Sequence, residues 1–398
     1  MIFVPTVLLA CAPAVTCGAG TKLDGATCVP ADDTAQTDTD DTDDTDDTDD
    51  TDDTDDTDDT DDTDDTDDTD DTDDVAPDPS LLFAPFVDAT LYPVARIADI
   101  ATATGVQNYN LGFVVAAASG SCEPSWGTYY TVDAGPDSWD GGAQYFLYDE
   151  VDALRAAGGD VIVSFGGASG EPLAAACADE ASLVAAYRAV IDRLALTRVD
   201  FDVEGAWLAD DVSVARRNDA IARVQAELAA DGVDLEVWYT LPVLPTGLTP
   251  DGTALLADAL DAGVDIAGVN VMTMDYGDAA APDPEGRMGE YAIDAVTALH
   301  AQLDAAWRDA GAPLSAAELW RKVGATPMIG LNDVTTETFD LEDAAQLRAF
   351  ADEAGMGMLS MWSVNRDHAC PDSTVVQLTC SSTADQTVDW EFMGVLGR

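Results

Sequence analysis

From residue 81 onward, short apolar runs alternate with longer stretches in which apolar residues recur every three to four positions. The short runs are Leu81–Val87, Tyr109–Ala116, Asp160–Phe165, Val199–Glu204, Leu235–Leu241, Ile266–Met274, Val323–Ile329 and Met358–Trp362. Their length and their β-branched and aromatic content predict strands. The longer stretches predict helices at Ala181–Ala195, Val214–Ala230, Thr253–Ala262, Ala292–Ala310 and Leu341–Ala354. Asp231-Gly232, Ala262-Gly263 and Ala354-Gly355 follow three of them, as helix ends require. Eight strands with intervening helices predict an α/β protein, a (β/α)8 TIM barrel over residues 81–398.

One strand breaks the apolar rule. In Val199–Glu204, the acids Asp200, Asp202 and Glu204 alternate with Val199, Phe201 and Val203. Residues two apart share a face of a strand, so the three carboxylates point one way and the apolar side chains the other. Burying such a stack is costly unless protons, hydrogen bonds or a ligand relieve it. It suits a site where one acid holds its proton near neutral pH while a neighbour stays charged. A solvated edge strand and a hard-cation site are the rival readings. No histidine or further acid cluster lies nearby to complete a metal site, so neither metal nor cofactor is expected. Barrel active sites lie where strands end. The polar and aromatic residues gather there: Ser164-Phe165-Gly166-Gly167, Glu204-Gly205, Met274-Asp275-Tyr276-Gly277 and Trp362.

Charge changes the picture at the other end of the chain. Of 398 residues with net charge −62, Asp38 to Asp74 contributes 25 aspartates and no base, mostly as Thr-Asp-Asp triplets. A self-repelling run with nothing apolar to bury predicts a disordered spacer over 31–80. It lacks the central glycine and terminal glutamate of an EF-hand loop. No basic patch exists to release counter-ions, which excludes nucleic acid as a partner. Residues 1–16 read as a lipoprotein-like signal whose apolar stretch ends Leu8-Leu9-Ala10-Cys11, although no Lys or Arg precedes it. Cys11 would carry the lipid tether. Cys17 and Cys28 bracket a small clasped segment over 17–30. Among 15 connectivities for the six cysteines after Cys11, local pairs 17–28 and 370–380 with 122–177 are preferred. Seven cysteines fit an oxidising compartment, so a secreted or surface-tethered bacterial protein, acting as a monomer, is expected.

The strand-end motifs resemble glycoside hydrolase family 18, the chitinases and endo-β-N-acetylglucosaminidases. The likeness runs from about Leu81 to Trp390 with motifs in barrel order. Val161-Ile162-Val163-Ser164-Phe165-Gly166-Gly167 matches the family's Ser-x-Gly-Gly, and Asp200-x-Asp202-x-Glu204 its acidic motif. Met272-Thr273-Met274-Asp275-Tyr276 matches the sixth-strand segment, and Met361-Trp362 the tryptophan under the sugar. The likeness is closer to a bacterial chitinase group with Asp-Phe-Asp-x-Glu-Gly, Val-Asn-Val-Met-x-Met-Asp-Tyr-Gly and Ser-Met-Trp-Ser-x-Asn-Arg-Asp. Two positions depart from the broader pattern: Thr197 stands where another Asp usually begins the acidic motif, and Met274 where many members place a tyrosine.

The resemblance implies an exported chitinase that cleaves β-1,4 bonds between N-acetylglucosamine units with retention, the substrate's own acetamido oxygen attacking. Glu204 would be acid and then base, Asp202 would orient the acetamido N–H, and Asp200 would share a proton or hydrogen bond with Asp202. Tyr276 would take the displaced tyrosine's role. Trp362, Asp275, Met274, Ser164, Gly166, Gly167, Trp126 and Asn332 are the expected substrate-binding residues. Trp126, Tyr129, Tyr130 and Trp139 line a cleft or pack in the core, and Trp207 is similar. Asn332, Asp333, Asn365, Arg366 and Asp367 bind hydroxyls or tie loops together. Cleavage of N-glycans, a non-catalytic lectin, and a surface adhesin dependent on its spacer are the alternatives.

Overall fold

A computed structural model describes residues 81–133, 143–370 and 374–398, together with the backbone of a small hairpin. That hairpin pairs Thr21–Asp24 with Thr27–Pro30. The readings of residues 1–16, Cys11, the 17–28 pair and the Asp/Thr spacer lie outside the described residues.

The alternation of apolar runs and amphipathic stretches folds into a closed parallel barrel. Its strands are Leu82–Phe83 continuing as Phe86–Asp88, then Asn108–Ala116, Asp160–Gly166, Arg198–Asp202, Glu236–Leu244, Ile266–Met272, Val323–Thr326 and Met358–Leu359. Each of the second to eighth pairs in parallel with the strand before it and the strand after it. The first strand closes the ring in two steps. Leu82 and Phe83 pair with Met358 and Leu359 of the eighth, and Phe86–Asp88 pair with Asn110–Gly112 of the second. Pro85 sits at the crossover, where its missing N–H costs nothing and its carbonyl accepts from the Asn110 N–H at 3.0 Å. Closure removes the sheet edges that an open parallel sheet would have to cover.

Outward-facing residues such as Val199, Phe201 and Tyr239 pack between sheet and helices. Phe201 stacks on Phe165 at 5.2 Å, with Tyr187 of the helix Glu180–Leu194 edge-on to both. Helix starts follow local chemistry. Asp179, Ser315 and Asp340 each accept from a backbone N–H in the first turn, closing capping boxes. The helix Leu341–Ala354 ends on Gly355 in the left-handed conformation, as its sequence predicts.

The inner face divides by height. Near the strand beginnings, Trp238 packs with Ile162, Met358 and Ala84 in a closed apolar plug. Gly268 makes room for it, since a Cβ there would lie 2.3 Å from the Trp238 ring. Above the plug the inward positions turn polar. Two disulfides, Cys122–Cys177 and Cys370–Cys380, join segments beyond the strand ends.

Candidate active site

The fourth strand, Arg198–Asp202, delivers the acids as its alternation requires. Val199 and Phe201 face the helices, while Asp200 and Asp202 are buried inside the barrel. Glu204 lies just past the strand in extended backbone, so the alternation carries on and its side chain reaches the partly open mouth. The Ser164 hydroxyl donates to Asp200 Oδ2 at 2.6 Å and the Thr240 hydroxyl to Oδ1 at 2.7 Å. Burial raises Asp200 to a pKa of about 6 despite these donors. Asp202 is pushed well above the usual carboxylate range, first by burial and then by the charges of Glu204 and Asp200. Glu204 is raised by burial and by the charge of Asp275, and it shares a hydrogen bond with Asp202. Two neighbouring carboxyls raised in this way form the arrangement in which one shared proton relieves the like charge. Asp202 Oδ1 is buried and has no hydrogen-bond partner among the described residues.

Asp275 reaches this cluster from the end of the sixth strand. Its backbone is left-handed (φ 51°), its Oδ1 accepts from the Val334 N–H at 2.8 Å, and its own N–H meets Asn332 Oδ1 at 3.4 Å.

An aromatic wall completes the mouth. Trp362 stacks on Phe113, with centroids 5.7 Å apart and planes 24° apart, and tilts against Phe86 at 6.2 Å. Its backbone is tied to the seventh-strand segment, through Trp362 N–H to Pro327 O at 2.8 Å and Ile329 N–H to Trp362 O at 3.1 Å. The Ser-x-Gly-Gly turn locks this wall to the acids. A Cβ on Gly166 (φ 113°) would lie 2.0 Å from the Asp202 carbonyl oxygen, and one on Gly167 would lie 2.7 Å from the Phe113 ring. The Gly167 N–H donates to that same carbonyl at 3.1 Å. Only residues without side chains let the third strand close on the fourth here.

No family model matches the chain. It is 42% identical over 293 residues, 73% of its length, to a probable bifunctional chitinase/lysozyme of Escherichia coli (strain K12). Over the same length it is 41% identical to Endochitinase 11 of Metarhizium anisopliae. It spans 31% and 53% of those two proteins. Among solved structures, the catalytic domain of the hyperthermophilic chitinase from Pyrococcus furiosus superposes with a TM-score of 0.68 at 31% identity, over 81% of this chain and 95% of that one. The chain belongs to glycoside hydrolase family 18.

Within this family-18 barrel, several residues expected at the site, catalytic Tyr276 among them, stand elsewhere. Tyr276 turns away from the acids. The strand ends at Met272 and the left-handed Asp275 breaks the alternation, so the Tyr276 ring packs edge-on to Tyr291 of the helix Met288–Asp309. Its neighbours there include Glu337 and Asp294, and its hydroxyl is buried without a hydrogen-bond partner among the described residues. Trp126 is fully buried: its strand, Pro124–Trp126, folds back on the second strand, and its indole N–H donates to the Tyr148 hydroxyl at 3.1 Å. Tyr130 is buried with it, Tyr129 is exposed, and Trp139 lies outside the described residues. Asn332 is buried too, its amide donating to the carbonyls of Met328 and Gly330, so it braces Asp275 and has no face for a sugar.

Ser164, Gly166 and Gly167 are likewise buried behind the acids and act as braces. Met274, Asp275 and Trp362 remain partly open at the mouth, and Trp207 is half-buried on the turn after Glu204. Asn365, Arg366 and Asp367 tie loops together. Asn365 bonds both backbone groups of Asp88, Arg366 donates to the carbonyls of Ile329 and Leu331, and Asp367 accepts from the N–H groups of Phe392 and Met393.

Sequence reasoning missed Phe113, Thr240, Asn270 and Thr326. The signal for the last three was available: each is a lone polar residue at an inward position of an apolar strand, in register with the acids.

Proposed function

We propose that the chain is a chitinase, hydrolysing β-1,4 bonds between N-acetylglucosamine units by substrate-assisted catalysis with retention. The observation that carries this reading is Asp202: an inward carboxyl with one oxygen unpartnered among the described residues, beside Glu204 at a partly open mouth. Such an oxygen is an acceptor in want of a donor, and an acetamido N–H supplies one. The names of the relatives support the substrate class.

In the proposed reaction the acetamido oxygen attacks C1 as Glu204 gives its proton to the leaving glycosidic oxygen. The C1–O bond breaks, and the resulting oxazolinium is steadied by Asp202. Glu204, now a carboxylate, takes a proton from water as that water opens the ring at C1, which returns the β configuration and reprotonates Glu204. Trp362 provides a floor against which the sugar stacks, with Met274 and Asp275 at its side. We infer export from the two disulfides, which persist in oxidising compartments. Tethering through Cys11 and monomeric action complete the proposal.

The deciding experiment is NMR of the first products from a chitin oligosaccharide. β-Anomer at early times, and no cleavage where the scissile sugar lacks its acetyl group, are expected. Early α-anomer would overturn the substrate-assisted mechanism.

A further inference from the structure

Behind the acids a second layer of polar side chains crosses three strands. Asn270 of the sixth strand places its amide nitrogen 3.0 Å from the Thr240 hydroxyl on the fifth and 2.7 Å from the Thr326 hydroxyl on the seventh. The Thr326 hydroxyl returns a hydrogen bond to Asn270 Oδ1 at 2.9 Å. All three side chains are buried. An amide nitrogen can only donate, so Thr240 is the acceptor in that bond. Its one hydrogen is then free for its other neighbour, Asp200 Oδ1, at 2.7 Å.

We propose that Thr240, aimed by Asn270 and Thr326, is a positioning residue that keeps the negative charge on Asp200 and so leaves the shared proton on the Asp202–Glu204 side of the stack. The alternative is a hydroxyl that only satisfies itself in the core. Geometry distinguishes the two. A threonine whose hydrogen could point either way would let Asp200 take up a proton and donate it back, whereas this one can meet Asp200 only as a donor. Ser164 and the Asn110 amide also bond Asp200, from the third and second strands. The titratable groups that face it are Asp202 on its own strand and, beyond Asp202, Glu204 with Asp275 of the sixth strand. The neighbouring strands offer only hydroxyls and amides. The charge on Asp200 is thus set by donors, and Thr240 is the donor whose direction is fixed by a third residue.

The inference rests on the glycosidase reading for its kinetic test, but not for its thermodynamic one. The kinetic test is the pH profile of kcat/KM on a chitin oligosaccharide for wild type, T240V and T240S. Loss of a hydrogen bond to a charged group should move the acid limb of T240V upward by roughly one pH unit. T240S should restore the wild-type limb. An unmoved limb in an active T240V would overturn the inference and leave the chitinase reading intact.

The second test, melting temperature against pH, needs no turnover. Asp200 titrates in the folded chain at about 6, above the ordinary carboxylate value. Between the two values the folded chain holds a proton that the unfolded chain has released, so stability falls as pH rises through that window. In T240V the fall should extend to higher pH, and a window identical to wild type would overturn the inference even if the chain cleaved no sugar at all. Should T240V fail to fold, T326V carries the same comparison with a smaller expected shift, and the absence of any shift there has the same meaning.

Discussion

The two halves of the barrel interior obey one rule of alternation and use it for opposite ends. Below, Trp238, Ile162, Met358 and Ala84 pack together, and the absence of a side chain at Gly268 makes room for the indole. Above, the same inward positions hold Ser164, Asp200, Asp202, Thr240, Asn270 and Thr326, joined by hydrogen bonds and carrying carboxyls held above their usual pKa. The lower half gains by burial. The upper half gives up stability to keep acids in a low-dielectric space, where their proton affinities can be set. The upper half is affordable because a packed half stands beneath it.

If that division holds, substitutions in the two halves should fail in different ways. The largest effect is expected at the mouth: E204Q should lower kcat by about 10²–10⁴-fold while oligosaccharide affinity and melting temperature stay near wild type. Isothermal titration beside kinetics checks this, and near-normal turnover would end the role given to Glu204. In the lower half, W238A should cost about 3–5 kcal/mol of stability. The fraction that stays folded should keep its kcat, which denaturant melts combined with active-site titration would show. A fall in kcat per folded molecule would mean that the plug also shapes the site. Trp362 straddles the division, since it packs on Phe113 and Phe86 and stays partly open at the mouth. W362A should raise KM roughly ten-fold, a contact of about 1.4 kcal/mol, with a smaller loss of stability than W238A. The reverse ranking would move Trp362 into the core.

The barrel was legible from residue 81 onward because each strand is short, apolar and separated from the next by an amphipathic stretch. All eight strands lie where the pattern places them, and the helix Leu341–Ala354 matches to the residue. Asp200, Asp202 and Glu204 were legible because a period of two is a statement about direction. Tyr276 lies beyond the reach of that rule: the strand ends at Met272, and the left-handed backbone at Asp275 sends the next side chain toward Tyr291. Trp126 and Asn332 were misplaced because a loop residue has no period to read. Whether it faces solvent depends on how the loop folds back, as Pro124–Trp126 does on the second strand. Thr240, Asn270 and Thr326 were legible as lone polar residues in apolar strands, but their bonds to one another depend on the register between strands, which emerges only when the barrel closes.

The closed floor has one more consequence, which concerns traffic. With Trp238 filling the lower end among the described residues, on the proposed chemistry sugar, water and product would reach Glu204 from the mouth. On the proposed chemistry, a second oligosaccharide waiting at that mouth occupies the route by which water must arrive. Raising substrate concentration should therefore divert the oxazolinium from hydrolysis to sugar acceptors, and products longer than the starting oligomer should accumulate. On that chemistry, an approach confined to the mouth would make glycosyl transfer the companion of hydrolysis, with crowding at the rim setting the proportion of each.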